Sequence, residues 1–213
     1  MDGPADEFIE TERKYEVGPV FTVPDLASVP GVKGVTPPRR HRLTAVYFDT
    51  AGLALQRAHV TLRRRTGGED AGWHLKLPAG HESRREIHEQ LGDSRAGVPP
   101  RLLALVSDWI AGQPVRPIAR LQTSRTVRRL LGPSGALLAE VADDRVTGAV
   151  PGAGVPDATG TAWSTVTSWR EVEVELASGD AGLLDEVGGQ LAAAGAKRSS
   201  AASKLSIVLA AAG

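Results

Sequence analysis

Glu10, Glu12 and Lys14 alternate along the stretch Ile9 to Tyr15. An extended strand has a side-chain period of two, so both carboxylates and the ammonium leave the backbone on one face. A carboxylate pair of this kind can ligate a hard divalent cation, and a lysine beside it can hold a phosphate oxygen. An exposed edge strand of mixed charge gives the same pattern, because Glu and Lys are seldom buried. The later strands decide between the two.

Those strands repeat the pattern with the signs sorted. Arg63 and Arg65 share a face, as do His74 and Lys76, with Trp73, Leu75 and Leu77 opposite the latter pair. Arg84, Glu86 and His88 share another, and Glu140 and Asp144 lie on one face with Ala142. Glu171, Glu173 and Glu175 alternate with Val172, Val174 and Leu176. Carboxylates in a row repel one another unless a cation sits among them. Paired arginines present forked donors that suit phosphate oxygens. Lys14 and Lys76 fall on these charged faces, and Lys204 sits in a Ser-Lys-Leu near the end of the chain. Together the strands describe a barrel with apolar outer faces under helices and a charged interior for a polyphosphate with divalent metal.

The elements that position these residues are short strands separated by Gly/Pro turns, which read as an antiparallel meander. Strands are expected at Arg42 to Asp49, His59 to Thr66, Gly72 to Leu77, Ser83 to Gln90, Ile118 to Leu131, Leu137 to Val146 and Ser168 to Leu176. Pro24 to Pro30 reads as one helical turn or a short helix, and Leu53 to Arg57 as a short helical or extended link. Pro99-Pro100 opens a helix with Leu102, Leu103, Val106, Trp109 and Ile110 on one face. Thr147 to Thr161, rich in Gly, Pro and Thr, is expected to be a mobile loop. Asp180 can cap a helix that ends near Gly195. Ser203 to Ala211 suits a final short helix, although its Leu/Ile/Val content also suits a strand.

Composition narrows the function. With 213 residues the chain is long enough for one domain with a sizeable core, and 1–213 is read as a single domain. Lys+Arg and Asp+Glu are equal at 25 each, so no net field attracts nucleic acid or membrane. There is no cysteine, which excludes thiolate metal sites and a cysteine nucleophile. The stretch Met1 to Phe8 is acidic and lacks the apolar core of a signal peptide, and no run approaches the ~20 apolar residues of a bilayer span. A soluble, cytoplasmic protein is expected.

Read in order, the motifs are Glu-x-Glu-x-Lys at 10–14, Tyr-Phe-Asp-Thr at 47–50, Leu-Arg-x-Arg at 62–65, Leu-Lys at 75–76 and Arg-x-Glu at 84–86. Ser-Arg-Thr at 124–126, an Asp near the end of the 137–146 strand, a late Glu-x-Glu and Ser-Lys-Leu at 203–205 complete the series. This series resembles the CYTH, or triphosphate tunnel metalloenzyme, superfamily. Its members include inorganic triphosphatases, thiamine triphosphatases, class IV adenylate cyclases and fungal and viral RNA triphosphatases. The resemblance covers almost the whole chain and implies an α+β fold, an eight-stranded antiparallel β-barrel with helices packed outside.

The same resemblance implies that Arg63, Arg65, Lys76, Arg84, Arg125 and Lys204 hold a triphosphate, with Lys14 assisting. Glu10, Glu12 and the late pair Glu173 and Glu175 are implied to bind Mg²⁺ or Mn²⁺ and, with Lys14, to form the catalytic set. Glu171 is kept as an accessory to the late pair, and Asp144 is preferred over Asp143 because it shares the parity of Glu140. The stretches Trp169 to Leu176 and Ala139 to Asp144 look most like bacterial members fused to a C-terminal CHAD domain, which this chain does not contain. The expected reaction is metal-dependent hydrolysis of inorganic triphosphate. Cyclisation of ATP or hydrolysis of thiamine triphosphate on the same site, and a non-catalytic polyphosphate-binding module, are the alternatives.

Overall fold

The computed structural model describes residues 6–80, 83–92, 97–154, 156–157 and 160–213. Residues 1–5 of the acidic N-terminal stretch lie outside the described residues, as do positions 155, 158 and 159 of the Gly/Pro/Thr-rich segment. The strands are β1 (Asp6–Glu16), β2 (Gly34–Val35), β3 (Arg39–Asp49), β4 (Thr61–Thr66), β5 (Gly72–Pro78), β6 (Ser83–Glu89), β7 (Arg116–Leu131), β8 (Leu137–Pro151), β9 (Trp163–Leu176) and β10 (Lys197–Arg198). The helices are α1 (Ala54–Arg57), α2 (Pro100–Leu105), α3 (Ser107–Ile110), α4 (Ala181–Ala193) and α5 (Lys204–Ala212).

All ten strands belong to one antiparallel sheet, to which the two-residue β2 and β10 are appended. The remaining strands run β1-β6-β5-β4-β3-β7-β8-β9, and β9 pairs back to β1. Closure follows from β1 changing partner along its length. Asp6 to Thr11 pair with β6, and Glu12 to Glu16 pair with β9. A closed barrel leaves no long edge exposed and forces each strand to present one face inward.

The outer faces carry the apolar residues, as the alternation predicts. Helix α4 lays Leu184, Val187 and Leu191, each at 0% exposure, against Tyr15, Val141, Val172 and Val174. Each such burial is worth roughly 1.5–3 kcal/mol against leaving the side chain in water. Gly188 is what lets α4 come this close, since a Cβ there would stand 2.3 Å from Tyr15 Oη. Asp180 caps α4 by accepting from the Leu183 amide at 3.0 Å. On the opposite wall α1, α2 and α3 cover Leu62, Trp73, Leu75 and Ile87.

The final element resolves as a helix. Ser203 and Ser206 form a reciprocal capping box at the start of α5. Its Leu205 and Val208 pack with Leu121 and Val146, whose neighbours Thr123 and Asp144 point into the barrel. The helix therefore seals one end of the interior, and Lys204 enters through its first turn.

Two expectations are corrected. The stretch from Pro100 to Ile110 is two short helices, because Val106 leaves helical geometry (φ −112, ψ 8) to bury itself completely. The segment Thr147 to Thr161 opens as strand, because β8 runs on to Pro151, and β9 begins only at Trp163. Gly148 reads as a loop signal but serves the approach of α5, since a Cβ there would stand 2.4 Å from Val208 Cγ2. Between β8 and β9, Asp157 accepts from Trp163 Nε1 at 2.7 Å.

Candidate functional site

The inward positions of the barrel line a cavity of about 240 Å³. Glu10, Glu12 and Lys14 reach it from β1, Arg63 and Arg65 from β4, and Lys76 from β5. Arg84 enters from β6, Arg125 from β7, Glu173 and Glu175 from β9, and Lys204 from α5. Strand parity accounts for all of these except Lys204, which depends on the capping box.

One ionic cluster is built around Lys76. Its ammonium donates to both oxygens of Glu10 at 2.5 Å and lies 3.4 Å from Glu86 Oε2. Glu86 is 4% exposed and takes His74 Nδ1 at 2.6 Å on its other oxygen. Burial would raise the Glu86 carboxyl, but Lys76, His74 and Arg63 outweigh it and hold it far below the ordinary carboxylate range. Arg63 contacts Tyr47 Oη at 3.3 Å. Arg65 differs from Arg63: its guanidinium is paired with Asp70, from the loop between β4 and β5.

A second cluster lies around Lys204. Its ammonium reaches Glu173 at 2.5 Å, Glu171 at 2.6 Å and Asp144 at 3.1 Å. Arg125 donates to Asp144 at 2.8 and 2.7 Å and to Glu173 at 2.6 Å. The carboxylate oxygens of Asp144, Glu171 and Glu173 lie within 4.8 Å of one another. Three carboxylates this close need positive charge, and Lys204 and Arg125 supply it. Burial would raise Glu173, but Lys204, Lys14 and Arg125 hold it well below the usual value.

Between the clusters the carboxylates are less well matched. Glu12 stands directly opposite Glu175 on the β1–β9 ladder, and Glu140 opposite Glu175 on β8. Burial, and then the charges of Glu10, Glu12 and Glu86, push the Glu175 carboxyl up to about 7, with Lys76 offsetting only part. Burial also raises Glu10 despite Lys76. An excess of buried negative charge facing a cavity is what a hard divalent cation with oxygen ligands relieves, so the donor set fits Mg²⁺ or Mn²⁺.

The geometry separates the late glutamates. Glu173 and Glu175 line the cavity, whereas Glu171 is 1% exposed behind it and accepts from Trp169 Nε1 at 2.7 Å. Asp144, at 0% exposure, does not line the cavity either. Arg84 lies at a side opening, its guanidinium donating to the Ala202 carbonyl. Glu86, His74 and Asp70 were not among the expected site residues. Glu86 was within reach of the sequence, since it shares the face of Arg84 and stands opposite Lys76 in the ladder.

A CYTH domain family model matches residues 9–206. The chain belongs to the CYTH family. The uncharacterized proteins MT2285 and Rv2226 of Mycobacterium tuberculosis are each 42% identical over 209 residues, which is 94% of this CYTH chain. The chain spans 40% of the length of either relative. Among solved structures, a candidate adenylate cyclase of Bacillus halodurans superposes with a TM-score of 0.61 at 17% identity, covering 93% of this chain and 96% of that one. A candidate adenylyl cyclase of Hippeastrum, described as having a dominant triphosphatase activity, gives 0.58 at 18% identity and covers 95% of each chain. At these identities the likeness is one of fold. It makes the closed tunnel of this CYTH chain a shared architecture. Among the described residues no helix is long and apolar enough to cross a membrane.

Proposed function

We propose that this CYTH chain hydrolyses a phosphoanhydride bond of linear tripolyphosphate in its tunnel, with Mg²⁺ or Mn²⁺. The observation that carries the reading is the sorting of charge around one cavity. Arg63, Lys76, Arg125 and Lys204 converge on it together with Glu10, Glu12, Glu173 and Glu175. A site that only bound a polyanion needs carboxylates to hold its cations in place, but not the facing pair Glu12 and Glu175, which repels the ligand.

In this reading Arg63, Lys76, Arg125 and Lys204 bind the phosphate oxygens, with Lys14 and Arg84 at the sides. Their ion pairs inside the wall hold them in place before the substrate arrives, so little reorganisation is needed. Buried among low-dielectric surroundings, they stabilise the charge that shifts onto the leaving phosphate. Asp144 and Glu171 position Arg125 and Lys204. Glu10, Glu12, Glu173 and Glu175 would hold the divalent cation, which neutralises phosphate charge and acidifies water. No serine or cysteine nucleophile is required.

The chain is taken as a single CYTH domain over 1–213 and as cytoplasmic. A CHAD partner domain in longer relatives belongs to the same proposal. Phosphate release from tripolyphosphate, ATP and thiamine triphosphate, with Mg²⁺, Mn²⁺ or chelator, tests the reading. Metal-dependent release, fastest from tripolyphosphate, is expected. Tight polyphosphate binding without turnover of any of them would sink the enzyme reading in favour of a binding module.

A further inference from the structure

Asp70 belongs to none of the motifs above, yet it lines the same cavity as Arg63, Arg65 and Lys76. Its carboxylate pairs with the Arg65 guanidinium, whose Nη2 also donates to the Asp70 carbonyl at 3.4 Å. Arg65 is 5% exposed while the Asp70 side chain is 61% exposed, so a carboxylate comes in from solvent and ends on a buried cation.

The loop that carries Asp70 is built to hold it there. His74 Nε2 lies 3.0 Å from the Asp70 carbonyl oxygen. The adjacent Glu69 accepts from Arg129 of β7 at 2.9 Å and from Arg39 of β3 at 3.4 Å. Gly67 and Gly68 open the loop at φ +79 and +80, and a Cβ on Gly67 would stand 2.1 Å from the Arg42 carbonyl oxygen. Only glycine takes that path. The loop is thus fastened at both ends and to both flanking strands.

A carboxylate on a guanidinium makes the contact a phosphate would make. Past Arg63 and Arg65 a phosphate chain meets the negative charges of Asp70 and Glu69. Repulsion of this sort is how a site rejects a ligand that its attractive contacts alone would accept. We infer that Asp70 is a specificity-determining residue that ends the phosphate-binding track at Arg65 and limits the length of linear polyphosphate the tunnel takes. The inference rests on the triphosphate reading above and makes Arg65 the last cation of the track.

The test compares linear tri- and tetrapolyphosphate on wild type, Asp70→Asn and Asp70→Glu. Binding is followed by calorimetry in chelator, and phosphate release with Mg²⁺. Wild type is expected to prefer the shorter chain. Asp70→Asn should shift the ratio of affinities toward tetrapolyphosphate by about tenfold, or ~1.4 kcal/mol. Asp70→Glu should keep the wild-type ratio. An unchanged ratio in a folded Asp70→Asn protein, or an equal loss for both chains, overturns the inference while leaving the triphosphate reading intact. Wild type that neither binds nor hydrolyses either chain removes both.

Discussion

Arg125 on β7 and Asp144 on β8 face each other in register and close two parallel hydrogen bonds of 2.8 and 2.7 Å. Asp144 is fully buried, so this forked pair takes its strength from exclusion of water as much as from contact. Burial would lower the Arg125 guanidinium, but Asp144 and Glu173 hold it well above its usual value. The arginine is fixed and permanently charged before any ligand enters.

Lys204 completes this cluster from α5, and its removal strands Glu171 and takes one of the cations from Asp144 and Glu173. Lys204→Met should cost ~3–5 kcal/mol, the loss typical when one partner of a buried ion pair is deleted. Urea melts at pH 7 measure it. Adding Glu171→Gln should return part of the loss, because one stranded charge is then gone. A double variant no more stable than the single would contradict the electrostatic account.

Glu175 predicts a pH dependence of stability in chelator. Its folded value of about 7 lies above the ordinary 4.5, so the folded protein binds the extra proton between those limits. Its contribution to stability is full below about 4.5 and is lost as pH rises through about 7. Glu175→Gln should therefore melt higher than wild type at pH 8, and the gap should close on acidification toward pH 5. Mg²⁺ should stabilise wild type more than the variant, since the cation favours the ionised carboxylate.

Glu12→Ala tests the metal assignment. Its carboxylate is paired with Lys14 and stands opposite Glu175. Turnover of tripolyphosphate should fall by ~10²-fold or more, the scale seen when an electrostatic group at a reacting centre is lost. Circular dichroism should remain that of wild type. Activity near wild type would remove Glu12 from the site.

Gly148→Ala tests the seal at the end of the barrel. The new methyl would stand 2.4 Å from Val208 Cγ2, so α5 must move or the strand must shift. Overpacking of this kind costs ~1–3 kcal/mol. Because α5 also carries Lys204, the affinity for tripolyphosphate should weaken in parallel. Adding Val208→Ala makes room and should restore both, as read by melting temperature and calorimetry.

Much of the site was legible because strand geometry is simple. Parity alone put Glu10, Glu12 and Lys14 on one face, and the barrel has that face inside. It could not rank Glu171, Glu173 and Glu175, which share parity. Their difference arises from depth along the tunnel, with Trp169 and Lys204 holding Glu171 beyond the cavity. Asp70 was invisible for another reason. A Gly-Gly-Glu-Asp-Ala run reads as a solvated turn, and only the pairing of β4 with β5 brings its carboxylate back to Arg65. Gly148 was misread because a glycine reports that space is needed and does not say for what.

The change of partner along β1 bears on how the chain is made. During synthesis half of β1 waits for β9, whose pairing residues Glu171 to Glu175 lie some 160 positions later. Until then Glu12 to Glu16 remain an open hydrogen-bonding edge, and the buried charges of the wall have no enclosure. Such long-range pairing makes for slow folding and a nascent chain exposed to aggregation. The alternating glutamates and Lys14 on that waiting edge act in the meantime as gatekeepers, keeping it from zipping onto a neighbouring chain.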